Sequence, residues 1–229
     1  MILMFIGHYG IAFALKRYAP KISLGILFLA VQLVDIMFFL LVSLGIEHFL
    51  IVPGFTEASP FDLYDLPISH SLLGALAWSM VAYLVIRFIP LKGLEDSASK
   101  KRAALIIGIA VFSHFVLDFI VHTPDLLLVP GLDFKVGLGL WNNLIGSIVV
   151  ELGILLVGCL LYLRAIPSGT GPIGKYGMYV FMMVLAVVSV GTPFMAFPNV
   201  LTVVISSELL YTVFALGAWW LDRKRTMIV

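Results

Sequence analysis

Three side chains able to bind a cation, His114, Asp118 and His122, recur at intervals of four residues within an apolar stretch. On a helix, residues four apart share one stripe and lie about 6 Å from each other along the axis, so His114 and Asp118 can chelate one ion. His122 would sit about 12 Å from His114 by the same rise, suited to a second ion, a substrate or the helix end. His8, Asp35, His70, Glu151 and Glu208 also stand among apolar residues, with no Lys or Arg inside the same stretches. Ionisable groups in such surroundings persist where they pair, bind a ligand or line a cavity, and a set of carboxylates and imidazoles without basic partners points to a bound cation. We therefore expect His8, Asp35, His70, His114 and Asp118 to hold one or two divalent ions. Zinc is the first choice, and iron or manganese also suits imidazole and carboxylate. Such an ion acidifies water and supports hydrolysis of an ester or phosphoester, with His122 or Asp65 as acid or base. Ser69, Ser71 and Ser113 are candidates to orient the imidazoles, and Asn142 and Asn143 to bind a polar headgroup, although capping and packing are the more ordinary roles of all five. His48 reads as a packing or hydrogen-bonding residue. The lone Cys159 excludes an intrachain disulfide and a thiolate metal cluster.

These residues need a scaffold, and the composition restricts what it is. Of 229 residues, 62% are hydrophobic and 12% charged, more apolar surface than a soluble domain of this size can hide. Runs near the roughly 20 residues that cross a bilayer as helix fall at about 22–46, 66–90, 103–122, 139–164, 176–196 and 199–221. A shorter run, 2–15, is followed by Lys16 and Arg17; this is the wrong polarity for a signal peptide, so a short first span is expected, with a re-entrant or interfacial helix as the alternative. The expected fold is an all-α transmembrane bundle of about seven spans forming a single domain over 1–229, with a metal-site half (1–125) and further spans over 139–222. Thirteen of the fourteen basic residues fall at alternate span ends, all but Lys135, which places the N-terminus outside and the C-terminus in the cytoplasm. In that orientation His8, His70, Asp118 and His122 occupy the outer half of the bundle. Short loops suit a multi-pass protein of a prokaryotic inner membrane with membrane lipid around it, and a net charge of +1 gives no sign of nucleic-acid binding.

At Gly7-His8, Val34-Asp35, His70-Ser71, and Ser113-His114 with Leu117-Asp118, the chain resembles the predicted membrane-bound metal-dependent hydrolases of the inner membrane. The resemblance covers roughly the first 125 residues. The same ligand order is more distantly similar to the all-helical zinc-dependent phospholipase C and nuclease fold, although no clean His-x-x-x-Glu completes that set. Two family features differ here: a paired aspartate in the second span is reduced to Asp35, and Pro67-Ile68-Ser69 stands where an Arg precedes the His-Ser pair. The resemblance implies a metal-dependent hydrolase and adds little about its substrate; the first reading of the residues is hydrolysis of an ester or phosphoester bond of a lipid-linked or small-molecule substrate near the outer leaflet. A metal or proton-coupled transporter using the same cluster, with Glu151 and Glu208 as relays, is the second reading, and a polar cluster that only locks helices together is the third.

Overall fold

A computed structural model describes residues 5–91 and 94–226. The start of the first apolar run, at 2–4, and the loop residue Lys92 lie outside the described residues. Among the described residues there are eight α-helices: α1 (Phe5–Lys16), α2 (Leu24–Val31), α3 (Leu33–Ser43), α4 (Leu72–Phe88), α5 (Ser97–Val121), α6 (Leu144–Ala165), α7 (Met178–Gly191) and α8 (Val200–Thr226). Side-chain caps begin several of them, with Ser23, Ser71, Asp96 and Asn143 accepting a backbone N–H from the first turn of α2, α4, α5 and α6. At Asp96 that bond from Ser99 holds the exposed carboxyl below its ordinary pKa.

Four helical stretches among the described residues are long and apolar enough to cross a membrane: Ser97–Val121, Leu144–Ala165, Ile173–Phe194 and Val200–Arg225. The pair α2 and α3 makes a fifth if counted as one span, bent by 54°. The hydropathy reading expects seven. A run of apolar residues need not be one helix: the second expected span breaks at Gln32, the third holds a helix of 17 residues, and the first holds 12 helical residues among the described ones.

The outward faces are apolar and the inward ones mixed. On α6, Ile145, Val149 and Leu156 face out, while Ser147, Glu151, Leu155, Gly158 and Tyr162 are buried at helical spacing. Exposed Val180, Met183 and Val187 on α7 and Leu201, Ile205 and Leu209 on α8 continue an outer surface that suits lipid. Inside, α1 lies against α6, α2 against α8, and α4 against α5. The α1–α6 crossing is closest at Gly10 and Gly158, where a Cβ on either residue would run into the other helix's backbone.

One end of the bundle is basic. Lys16 at the end of α1 is buried against Asp222 of α8, and Arg87, Arg164 and Arg223 to Arg225 close α4, α6 and α8 near the same end as the start of α5. Two short antiparallel hairpins stand at the other end, a departure from the expectation of helices alone. Strands β1 (His48–Ile51) and β2 (Phe61–Asp65) pair with a register shift between His48 and Leu50. Phe49, Phe61 and Leu63 turn inward, while His48, Leu50 and Tyr64 are exposed. Strands β3 (Leu126–Leu127) and β4 (Lys135–Val136) follow α5 and fold the chain back over its end.

Candidate metal centre

At the hairpin end, α1, α3, α5 and the turn before α4 bring His8, Asp35, His70, His114 and Asp118 together, each at least nine-tenths buried. Four atoms form a ring in which nitrogen and oxygen alternate. His70 Nε2 is 3.2 Å from Asp35 Oδ1 and 3.6 Å from Asp118 Oδ2, while His114 Nε2 is 3.5 Å from Asp35 Oδ1 and 3.1 Å from Asp118 Oδ2. Donors around a tetrahedral ion with bonds of about 2.0–2.1 Å lie about 3.3 Å apart, so each neighbouring pair in the ring has the spacing of two donors on one small ion. His8 Nε2 approaches Asp118 Oδ1 at 3.5 Å, and the His8 and His114 rings stack with centroids 4.0 Å apart. The trios His8, His114 and Asp118, and Asp35, His70 and His114, each have ligand atoms mutually within 4.8 Å.

The outer partners of the imidazoles decide what their inner nitrogens offer. Glu47 Oε1 accepts the backbone N–H groups of Ile68 and Ser69, and its Oε2 accepts the Ser69 hydroxyl at 2.6 Å. Having given its only proton to Glu47, Ser69 Oγ must accept from His70 Nδ1 at 2.8 Å, which leaves the lone pair on Nε2. His114 Nδ1 is 2.7 Å from the carbonyl of Val31, an acceptor only, so its lone pair is also on Nε2. That carbonyl is free because the chain breaks between α2 and α3, where Gln32 reaches sideways to donate to Phe5 O at 2.7 Å. His122 Nδ1 meets Asp125 Oδ1 at 2.8 Å, and Asp125 is steadied by the Thr123 hydroxyl at 2.9 Å. Tyr211 of α8 donates to Asp35 Oδ2 at 2.8 Å, which turns Oδ1 toward the ring.

Lone pairs thus face carboxylate oxygens at 3.1 to 3.6 Å in a buried space, and Asp118 Oδ2 receives no hydrogen bond among the described residues. Electron-rich atoms repel at that distance unless a positive charge lies between them. Protons supply it only by charging His70 and His114, whose rings lie edge to face with centroids 5.5 Å apart, whereas one cation supplies it once, and these buried groups could hold a metal ion.

Other expected roles fall elsewhere. Asp65 pairs with His48 at 2.9 Å on the hairpin, both side chains are more than two-fifths exposed, and Asp65 does not line the site cavity. His122 does line it, with Nε2 3.9 Å from Asp118 Oδ1 and its ring on Trp141. Of the serines, Ser69 alone touches an imidazole; Ser71 caps α4 and Ser113 returns its proton to Ala110 O. Asn143 caps α6 and Asn142 is exposed. Glu151 accepts the backbone N–H groups of Ile6 and Gly7 at 2.9 and 3.1 Å and the Ser189 hydroxyl at 2.7 Å, so it holds the opening of α1 just before His8. Glu208 is half-buried on α8.

Sequence reasoning missed Glu47 and Tyr211 as positioning residues. Glu47→Ala should weaken divalent-ion affinity about 10–100-fold, because His70 loses its fixed tautomer while every ligand remains. Competition with a chromophoric chelator measures this, and an unchanged affinity would make Glu47 merely a brace for the turn before α4. No family model, curated protein or solved structure matches the chain, so the reading of its function rests on this centre.

Proposed function

We propose that the protein is a membrane-embedded metal-dependent hydrolase that cleaves an ester or phosphoester bond of a lipid-linked substrate. The observation that carries the reading is the inward Nε2 lone pairs of His70 and His114 facing Asp35 and Asp118. Zinc suits this mixture of imidazole and carboxylate, and a divalent ion so held would acidify a water and polarise the bond to be cut. His122 lines the same cavity, with Asp125 behind its Nδ1, and is the acid–base group of the proposal in place of Asp65. The resemblance to the predicted membrane-bound hydrolases supports the reading through the same residues.

In the proposed topology the chain crosses a prokaryotic inner membrane about seven times, with α1 and α4 as short spans and the centre in the outer half. The gathering of basic residues at the opposite end of the bundle supports that orientation. The test is turnover of an ester and phosphoester panel by the detergent-purified chain. Hydrolysis that requires a divalent ion and falls at least about 10²-fold in His122→Ala, with metal content kept, supports the assignment. Metal binding without turnover on any substrate, together with ion uptake into proteoliposomes, would replace it with the carrier reading.

A further inference from the structure

The wall around the centre carries information about charge. Phe5, Phe38, Phe39, Phe49, Phe61 and Trp141 line the cavity beside His8, Asp35, His70, Asp118 and His122, and no Lys or Arg lines it among the described residues. Its volume is about 40 Å³, room for a small reacting group. The basic residue on this side, Lys135, is spent on the outside of the hairpin, where its Nζ donates to Tyr64 O at 3.3 Å. One divalent ion balances the two carboxylates, so the metal-bearing site is formally neutral when its imidazoles are neutral. An anionic phosphoester would bring uncompensated negative charge among aromatic rings, against the cost of taking that charge out of water. A neutral carbonyl group brings none, and its apolar arm gains from the rings.

Resting on the hydrolase reading, we infer that the substrate is an uncharged carboxylic ester or amide with an apolar arm, and not a phosphoester. In its hydrolysis the oxygen of water joins the acyl carbon and the C–O or C–N bond breaks. One water proton passes to the leaving oxygen or nitrogen, for which His122 is placed, and the products are a carboxylic acid with an alcohol or amine.

The experiment separates ligand class from turnover. Zinc-loaded protein in detergent is titrated with N-octylacetamide and with octyl phosphate, following the fluorescence change that Trp141→Phe abolishes, and is assayed in parallel on p-nitrophenyl butyrate and p-nitrophenyl phosphate. The expected result is at least about tenfold tighter binding of the amide, and a reversal of that preference in Leu63→Arg, which sets a cation in the wall because Leu63 also lines the cavity. Tighter binding of octyl phosphate to the parent protein, or faster cleavage of p-nitrophenyl phosphate, overturns the substrate class and leaves the hydrolase reading in place. Preferential amide binding with no cleavage of either nitrophenyl compound keeps the ligand class and sinks the hydrolase reading.

Discussion

Asp118→Ala protein should purify without the divalent ion that the parent carries, as read by elemental analysis of detergent-solubilised samples. Asp118 faces His8 with one oxygen and both His70 and His114 with the other, so a single truncation removes a partner from every imidazole that faces the centre. Loss of an outer partner costs about 10–100-fold in affinity, and loss of a carboxylate ligand should exceed that. His114→Ala, which leaves both carboxylates, should also lose the ion, because His114 belongs to both ligand trios. The fold should survive these changes better than the ion does: the helices carrying the two residues keep their packing, and removal of facing carboxylates relieves repulsion in the metal-free protein. A parent chain that binds no divalent ion after dialysis against zinc, iron or manganese would remove the foundation of the catalytic reading.

Asp222→Ala should lower stability by about 3–5 kcal/mol, an effect on the order of 10 °C in the melting temperature, with metal content unchanged. Lys16 Nζ lies 2.6 Å from Asp222 Oδ2 and also donates to Pro20 O and Ile22 O, both side chains being almost fully buried. The same carboxylate receives Leu24 N at the start of α2 and the Tyr162 hydroxyl of α6, so it joins four helices at the basic end. Removing it strands a buried ammonium and two further donors. Lys16→Met combined with Asp222→Leu should recover much of the loss, because an apolar pair of similar volume carries no such penalty. Thermal melts followed by circular dichroism distinguish these outcomes, and an Asp222→Ala protein as stable as the parent would show the ion pair to be incidental.

The clustering of the candidate ligands was legible because its signals are local. His114 and Asp118 announce themselves by a four-residue interval that any helix converts into proximity, and His8, Asp35 and His70 by their cost in apolar surroundings. The geometry that sets their nitrogens was not. Nothing at Gln32 advertises a break, since neither Pro nor Gly stands there, and the bend goes with tertiary contacts, the His114 imidazole taking the Val31 carbonyl out of the helical ladder and Gln32 bonding to Phe5 O. Glu47 reads as one more acid in an outer loop, and Tyr211 as an ordinary aromatic in a span; only the fold shows whom they touch. Hairpin β1–β2 left a trace in the inward pair Phe61 and Leu63, two residues apart, beneath the stronger signal of the flanking apolar runs. Distance along the α5 axis separates His122 from His114 as expected, yet both imidazoles turn toward Asp118.

The bond from Glu151 to the opening turn of α1 has a consequence for the order in which the molecule is made. His8 leaves the ribosome early, but the carboxylate that pins its helix lies 145 residues beyond Ile6 and is itself anchored by a hydroxyl of α7. A nascent chain that stops after α5 already owns every proposed ligand and still cannot fix the first of them. An ion bound at the proposed centre would therefore be held fully only once the later helices are in place, α6 and α7 together pinning the opening of α1.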